Sequence, residues 1–101
     1  MNSQFGEKIR TLREEQNLYL RQVAPLLEMD TAQLSKIEKG IRMLKREQIP
    51  IIADVLKVNS DELMTLWLAD QIYEVVKNEK LANEAMKVAE KKINSKKRTK
   101  N

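Results

Sequence analysis

Neither cysteine nor histidine occurs in this chain of 101 residues. Their absence excludes disulfide frameworks, thiolate zinc sites and imidazole acid–base chemistry. Two glycines and two prolines are present, too few glycines for a phosphate-cradling loop. Aromatic residues are as scarce, with one Phe, one Trp and two Tyr, so a core must be built from Leu, Ile, Val, Ala and Met. No alternating Val/Thr/Tyr run bounded by turn residues appears, which argues against a sheet. No apolar stretch approaches the roughly 18–20 residues that a membrane helix requires, and the opening Met-Asn-Ser-Gln-Phe-Gly-Glu is no secretory leader. The expectation is a soluble, cytoplasmic, all-α protein with one modest core, no metal and no cofactor. No nucleophile–base arrangement is visible, so an enzyme is not expected.

What the chain does have is charge, with 19 Lys/Arg against 15 Asp/Glu and a net of +4. That excess is local. Lys91, Lys92, Lys96, Lys97, Arg98 and Lys100 follow one another without an acid, and without these six residues the chain carries 13 bases against 15 acids, a net of −2. Overall basicity is therefore no argument for a nucleic-acid partner; the distribution is. Within the body one basic stretch stands out, Lys36, Lys39, Arg42, Lys45 and Arg46, relieved by Glu38 alone.

Apolar spacing predicts a series of helices. The first covers about residues 5–16, with Phe5, Ile9 and Leu12 inward and Asn17 as its left-handed stop. The second covers about 20–27 with Val23, Ala24 and Leu27 inward, kinked or shortened by Pro25. The third starts at Asp30, whose side chain caps it, with Gln33 completing an Asp-x-x-Gln capping box; Leu34 and Ile37 face the core and Gly40 ends it. The fourth covers about 46–56, with Ile49, Ile52, Ala53 and Leu56 buried and Pro50 a local flaw near its fifth position. A fifth begins at a Ser60 cap, with Asp61 and Glu62 in its first turn and Leu63, Leu66 and Trp67 inward. Beyond Ala69 lie one or two further helices, broken near Asn78, and then a basic tail over 95–101 that is expected to be disordered. The chain divides accordingly into 1–69, a helical extension over 70–94, and the tail.

Val23 to Gly40 is the most informative segment. A short apolar helix, a corner and a second helix ending in Lys39-Gly40 read as a helix-turn-helix, in which the second helix enters the DNA major groove. Thr31, Ala32, Gln33, Ser35 and Lys36 are then the base-reading candidates. Gln33 serves either the capping box or an adenine, and Lys36 either a guanine edge or a phosphate. Tyr19, Arg21, Lys39, Arg42, Lys45 and Arg46 are the phosphate candidates, with Arg46 also placed for the minor groove.

Taken together, Phe5-Gly6-Glu7-Lys8-Ile9-Arg10, Leu12-Arg13-Glu14-Glu15, Val23-Ala24, Leu34-Ser35-Lys36-Ile37-Glu38-Lys39-Gly40, Ile52-Ala53, Leu56 and Glu62-Leu63 resemble the Cro/C1-type (XRE-like) helix-turn-helix regulators over about residues 5–69. The resemblance implies a five-helix, phage-repressor-like domain acting as a homodimer on a two-fold double-stranded DNA operator, a repressor or controller protein. Its recognition helices would lie about one DNA turn apart, roughly 34 Å. It also implies that Arg13 pairs with Glu38 and braces the third helix. The chain departs from the family at Tyr19-Leu20, where relatives carry a polar start to the second helix. The Gln there bonds a phosphate, which Leu20 cannot do; Tyr19 or Arg21 substitutes, or the contact is absent.

The apolar face of residues 70–94 (Ile72, Val76, Leu81, Met86, Val88) suits a homodimer interface, a partner's helix, or packing back onto the fifth helix. It keeps open an alternative in which the chain is an antitoxin-like or phage-switch subunit that binds a partner protein through 70–94. The basic tail reads as extra phosphate contacts, as a solubility device, or as a segment without a role.

Overall fold

Helices make up every regular element between residues 3 and 99, the range that the computed structural model of the chain describes, with side chains described through Lys96. They are α1 (Gln4–Glu15), α2 (Leu20–Val23) continued by a 3₁₀ turn (Ala24–Leu27), and α3 (Thr31–Glu38). A 3₁₀ turn (Arg46–Gln48), α4 (Ile49–Leu56), α5 (Ser60–Val76) and α6 (Ala82–Thr99) follow. The chain divides into two units, 1–71 and 72–101. Among the described residues no helix is long and apolar enough to cross a membrane.

The first unit is organised by the stripes that the sequence displays. Phe5 and Ile9 of α1, Val23, Ala24 and Leu27, Leu34 and Ile37 of α3, Ile49, Ile52, Ala53 and Leu56 of α4 and Leu63 of α5 form one buried cluster. Leu12, Leu66 and Trp67, also expected inward, pack against it half-buried. Leu44 completes the core from within the basic stretch. The Trp67 indole N–H donates to the Leu44 carbonyl over 2.9 Å, so that loop is held by an apolar anchor and a hydrogen bond together.

The helix ends explain the prolines. α2 is one turn long and passes into the 3₁₀ turn in whose first positions Pro25 sits, the shortening that a missing N–H imposes. Pro50, expected as a flaw inside a helix over 46–56, is none. α4 begins only at Ile49, and Pro50 lies in its first turn, where no intrahelical acceptor needs its N–H. Left-handed residues close several elements: Asn17 (φ 58°) and Gly40 (φ 81°), as the sequence implies, and also Glu28 (φ 57°) and Lys57 (φ 59°). The start of α5 differs from expectation. Asn59, not Ser60, makes the cap, its Oδ1 accepting from the Asp61 N–H at 2.7 Å.

The N-terminus of α1 is closed from far along the chain. The Ser3 hydroxyl oxygen accepts from Gly6 N–H at 2.7 Å. The Asp70 carboxylate accepts from Gln4 N–H and Phe5 N–H, each at 3.1 Å. Three of the donors that a helix start leaves open are satisfied in this way.

Beyond residue 69, α5 runs uninterrupted to Val76 and the break falls within 77–81. α6 then extends to Thr99, so residues 95–99, expected to be disordered, are helical; Lys100 and Asn101 lie outside the described residues. Lys and Arg are good helix formers, and no Gly or Pro follows Pro50 to stop the run.

Replacing Asp70 by Ala is expected to lower the unfolding free energy by about 1–2 kcal/mol, the worth of a lost cap at a helix start. Urea unfolding monitored by circular dichroism measures it; an unchanged midpoint would show that water replaces the carboxylate without loss.

Candidate nucleic-acid interface

The candidate surface is built on α3. Asp30, in extended backbone, caps it by accepting the Gln33 N–H on Oδ1 at 2.8 Å. The returning half of the capping box is absent among the described residues, which leaves the Gln33 side-chain amide without an intramolecular partner. At the other end Gly40 N–H donates to the Ile37 carbonyl at 3.0 Å and Ile41 N–H to the Lys36 carbonyl at 2.9 Å, a Schellman closure that requires the left-handed conformation at Gly40. Between these stops Leu34, Ile37 and Glu38 are buried. Stepping about 100° per residue, Ala32, Ser35, Lys36 and Lys39 fall on the opposite side, with Thr31 and Gln33 at its two edges. All of these are exposed except Ser35, which is half-buried.

Two features fix α3 against α1. Gly6 lies beneath the last turn of α3, so close that a Cβ on it would meet the Glu38 carbonyl oxygen at 2.5 Å and that of Ile37 at 2.6 Å. About two turns further along α1, Arg13 grips Glu38 in a two-pronged pair: Nε to Oε2 at 2.7 Å and Nη2 to Oε1 at 3.0 Å. The remaining prong, Nη1, donates to the Leu18 carbonyl at 2.8 Å. Both side chains are largely withdrawn from solvent, at 11% and 6% exposure, so removing one partner alone leaves the other's charge buried and unmatched, a far larger cost than breaking a surface contact. The Arg13 guanidinium is held above the ordinary arginine value, first by its hydrogen bond to Glu38 and further by that residue's charge, against the opposing effect of burial. A raised basic group contributes in full below its unfolded-state value and loses that contribution only as pH climbs through the folded one. Both lie far above neutrality, so the grip does not weaken across the physiological range.

The pair also alters the charge of the basic stretch, because the Glu38 carboxylate is turned inward and matched by Arg13. Arg21, Lys36, Lys39, Arg42, Lys45 and Arg46 are all exposed, and none forms an ion pair among the described residues. Arg42 and Lys45 stand on the loop that Leu44 anchors, and Arg46 opens the following 3₁₀ turn. On the other flank Arg21 lies with its guanidinium carbon 4.5 Å above the Tyr19 ring centroid, a cation–π arrangement. Tyr19 N–H donates to Gln22 Oε1 at 2.7 Å, which starts α2 without a Ser or Thr cap. Leu20, which has no polar atom on its side chain for a phosphate, lines with Arg10, Ser35 and Lys39 a shallow depression beside α3.

Residues that sequence reasoning did not single out as parts of this surface are Leu44, Gln22 and Gln48. Leu44 carried only a partial signal, because Ile41 and Met43 beside it are equally apolar and yet exposed. Gln22 and Gln48 carried none, because each works through an amide oxygen turned back onto Tyr19 or Lys45.

Residues 4–67 match the family model described as a helix-turn-helix domain. Over 61 residues the chain is 39% identical to the HTH-type transcriptional repressor RghR of Bacillus subtilis (strain 168), an overlap of 59% of this chain and 45% of the relative. The chain thus spans less than half the length of that curated relative. No solved structure matches it.

Glu38→Ala leaves a buried guanidinium unmatched and is expected to lose about 3–5 kcal/mol of stability. Replacing both partners, Arg13→Met with Glu38→Leu, should recover most of that loss. Chemical denaturation of the three variants tests this, and equal losses in single and double variants would contradict it.

Proposed function

The chain belongs to the helix-turn-helix family, and we propose that it is a sequence-specific, double-stranded DNA-binding transcriptional regulator of the Cro/C1 type. In this reading α3 enters the major groove of an operator half-site. The observation that carries the proposal is the outward face of α3, polar and without intramolecular partners at Gln33 and Lys36, flanked by the unpaired bases Arg21, Lys39, Arg42, Lys45 and Arg46. A rigid, short helix with open donors between two groups of cations has what groove reading requires: phosphate contacts to position, base-edge contacts to specify.

The roles follow from chemistry. Gln33, free of the cap, has an amide that matches adenine N6 and N7; the Thr31 methyl and Ala32 suit a thymine methyl; Ser35 donates to either kind of base. Lys36 reaches guanine O6 and N7 or a phosphate. Arg21, steadied on Tyr19, and Lys39, Arg42 and Lys45 hold the two backbones, with Arg46 at the minor-groove side. Two copies on a two-fold site would place two such heads one helical turn apart. The name of the Bacillus relative supports repression as the sense of control.

Selection of bound duplexes from a random pool should enrich a palindrome with half-sites about 10 base pairs apart centre to centre; failure to enrich any sequence overturns the reading. On the selected duplex, Lys36→Ala should either cost about 1–3 kcal/mol and relax one position, or weaken all sequences alike and lower the salt slope by about one. Titrations on cognate and random duplexes across a salt series separate the two roles.

A further inference from the structure

We propose that α6 is the surface through which a second copy of this chain binds, the two α6 helices lying antiparallel across a two-fold axis. α6 has 18 residues and so extends about 27 Å. Leu81, which immediately precedes α6 and accepts the Ala85 N–H on its carbonyl at 2.9 Å, begins an i, i+4, i+7 spacing that Ala85 and Val88 continue, and Ala82, Met86, Ala89 and Ile93 widen the stripe on one side. Leu81, Val88 and Ile93 are 65%, 57% and 58% exposed. A helix of this length is marginal on its own in water, and a continuous apolar stripe marks a contact surface.

The charges beside the stripe select the occupant. With Leu81 and Val88 at d positions and Ala85 and Lys92 at a positions of a heptad, Glu84 and Lys91 occupy successive g positions along one edge. In an antiparallel pair a layers meet d layers and g edges meet g edges. Ala85 then packs on Val88 of the partner subunit, and the aliphatic stem of Lys92 covers Leu81 of the partner subunit while its ammonium reaches water. Glu84 lies beside Lys91 of the partner subunit, and the two-fold axis repeats that pair. Neither Glu84 nor Lys91 has an ion-pair partner within the chain among the described residues. A parallel pair would set Lys92 against its own counterpart and leave Glu84 facing Ala89 of the partner subunit. Small residues at 82, 85 and 89 let two axes approach closely. The basic excess of α6 also suits an anionic lipid surface, but α6 has no aromatic residue to anchor in a bilayer interface, and Glu84 edges its stripe. The inference deepens the half-site reading by naming the contact that joins two heads. It is tested without DNA, so its failure and the failure of that reading are distinguishable.

Sedimentation equilibrium of the full DNA-free chain should show a dimer at micromolar concentration. Glu84→Lys and Lys91→Glu should each weaken it about tenfold or more, because like charges then face each other twice. An equimolar mixture of these two variants should regain wild-type affinity as a heterodimer, and Val88→Glu should leave monomers. Binding to a duplex carrying one half-site should be unchanged in every variant. A wild-type monomer up to about 100 μM, a dimer indifferent to both charge reversals, or a mixture no tighter than its components overturns the proposal. Co-sedimentation of a monomeric wild type with phosphatidylserine vesicles overturns it as well and reassigns the face to lipid.

Discussion

The contact between α1 and the last turn of α3 is the constraint on which this protein depends. α3 has only eight residues and turns half of its circumference to solvent, so it cannot be stable by itself. Its inner residues Leu34 and Ile37 hold it to the core, but apolar packing fixes depth better than rotation. Rotation is set by the bidentate Arg13–Glu38 pair and by the missing side chain at Gly6, which lets backbone meet backbone. A planar guanidinium matched to a planar carboxylate tolerates little tilt. The outward residues Ala32, Ser35, Lys36 and Lys39 take their direction from that geometry.

The same pair does a second, electrostatic task. A surface that attracts a polyanion must keep its own acids out of the way. Glu38 is the one acid between Lys36 and Arg46, and it is buried and matched by Arg13. The bases from 36 to 46 therefore act as a field rather than as half of a set of salt bridges. Their loop stays ordered without such bridges because Leu44 and the Trp67 indole hold it from within.

Much of this was legible along the chain, and the parts that were not share a cause. The apolar stripes, the left-handed stops at Asn17 and Gly40, and the shortening at Pro25 follow from local spacing and backbone chemistry, which a sequence displays directly. Pro50 misled because a 3₁₀ turn and an α-helix have similar apolar spacing over three residues, so the true helix start could not be told from 46. Glu28 and Lys57 adopt left-handed backbone without any glycine or asparagine to announce it. The Asn59 cap was hidden beside an equally good candidate at Ser60. Lys-rich residues 95–99 look like a tail by charge and like a helix by propensity, and propensity decided. On the candidate surface, exposure of the α3 residues was legible from the phase of the helix. The freeing of Gln33 was not, because two valid partners competed for one amide.

The Asp70 clasp has a kinetic meaning. Helical domains of this size are built mostly from neighbours in sequence, yet this carboxylate closes loops of 66 and 65 residues onto Gln4 and Phe5. Loop closure over such a span is entropically late. The amide hydrogens of Gln4 and Phe5 are thus shielded from exchange only while Asp70 is seated on the start of α1, and they act as a built-in reporter of when the first unit is fully closed.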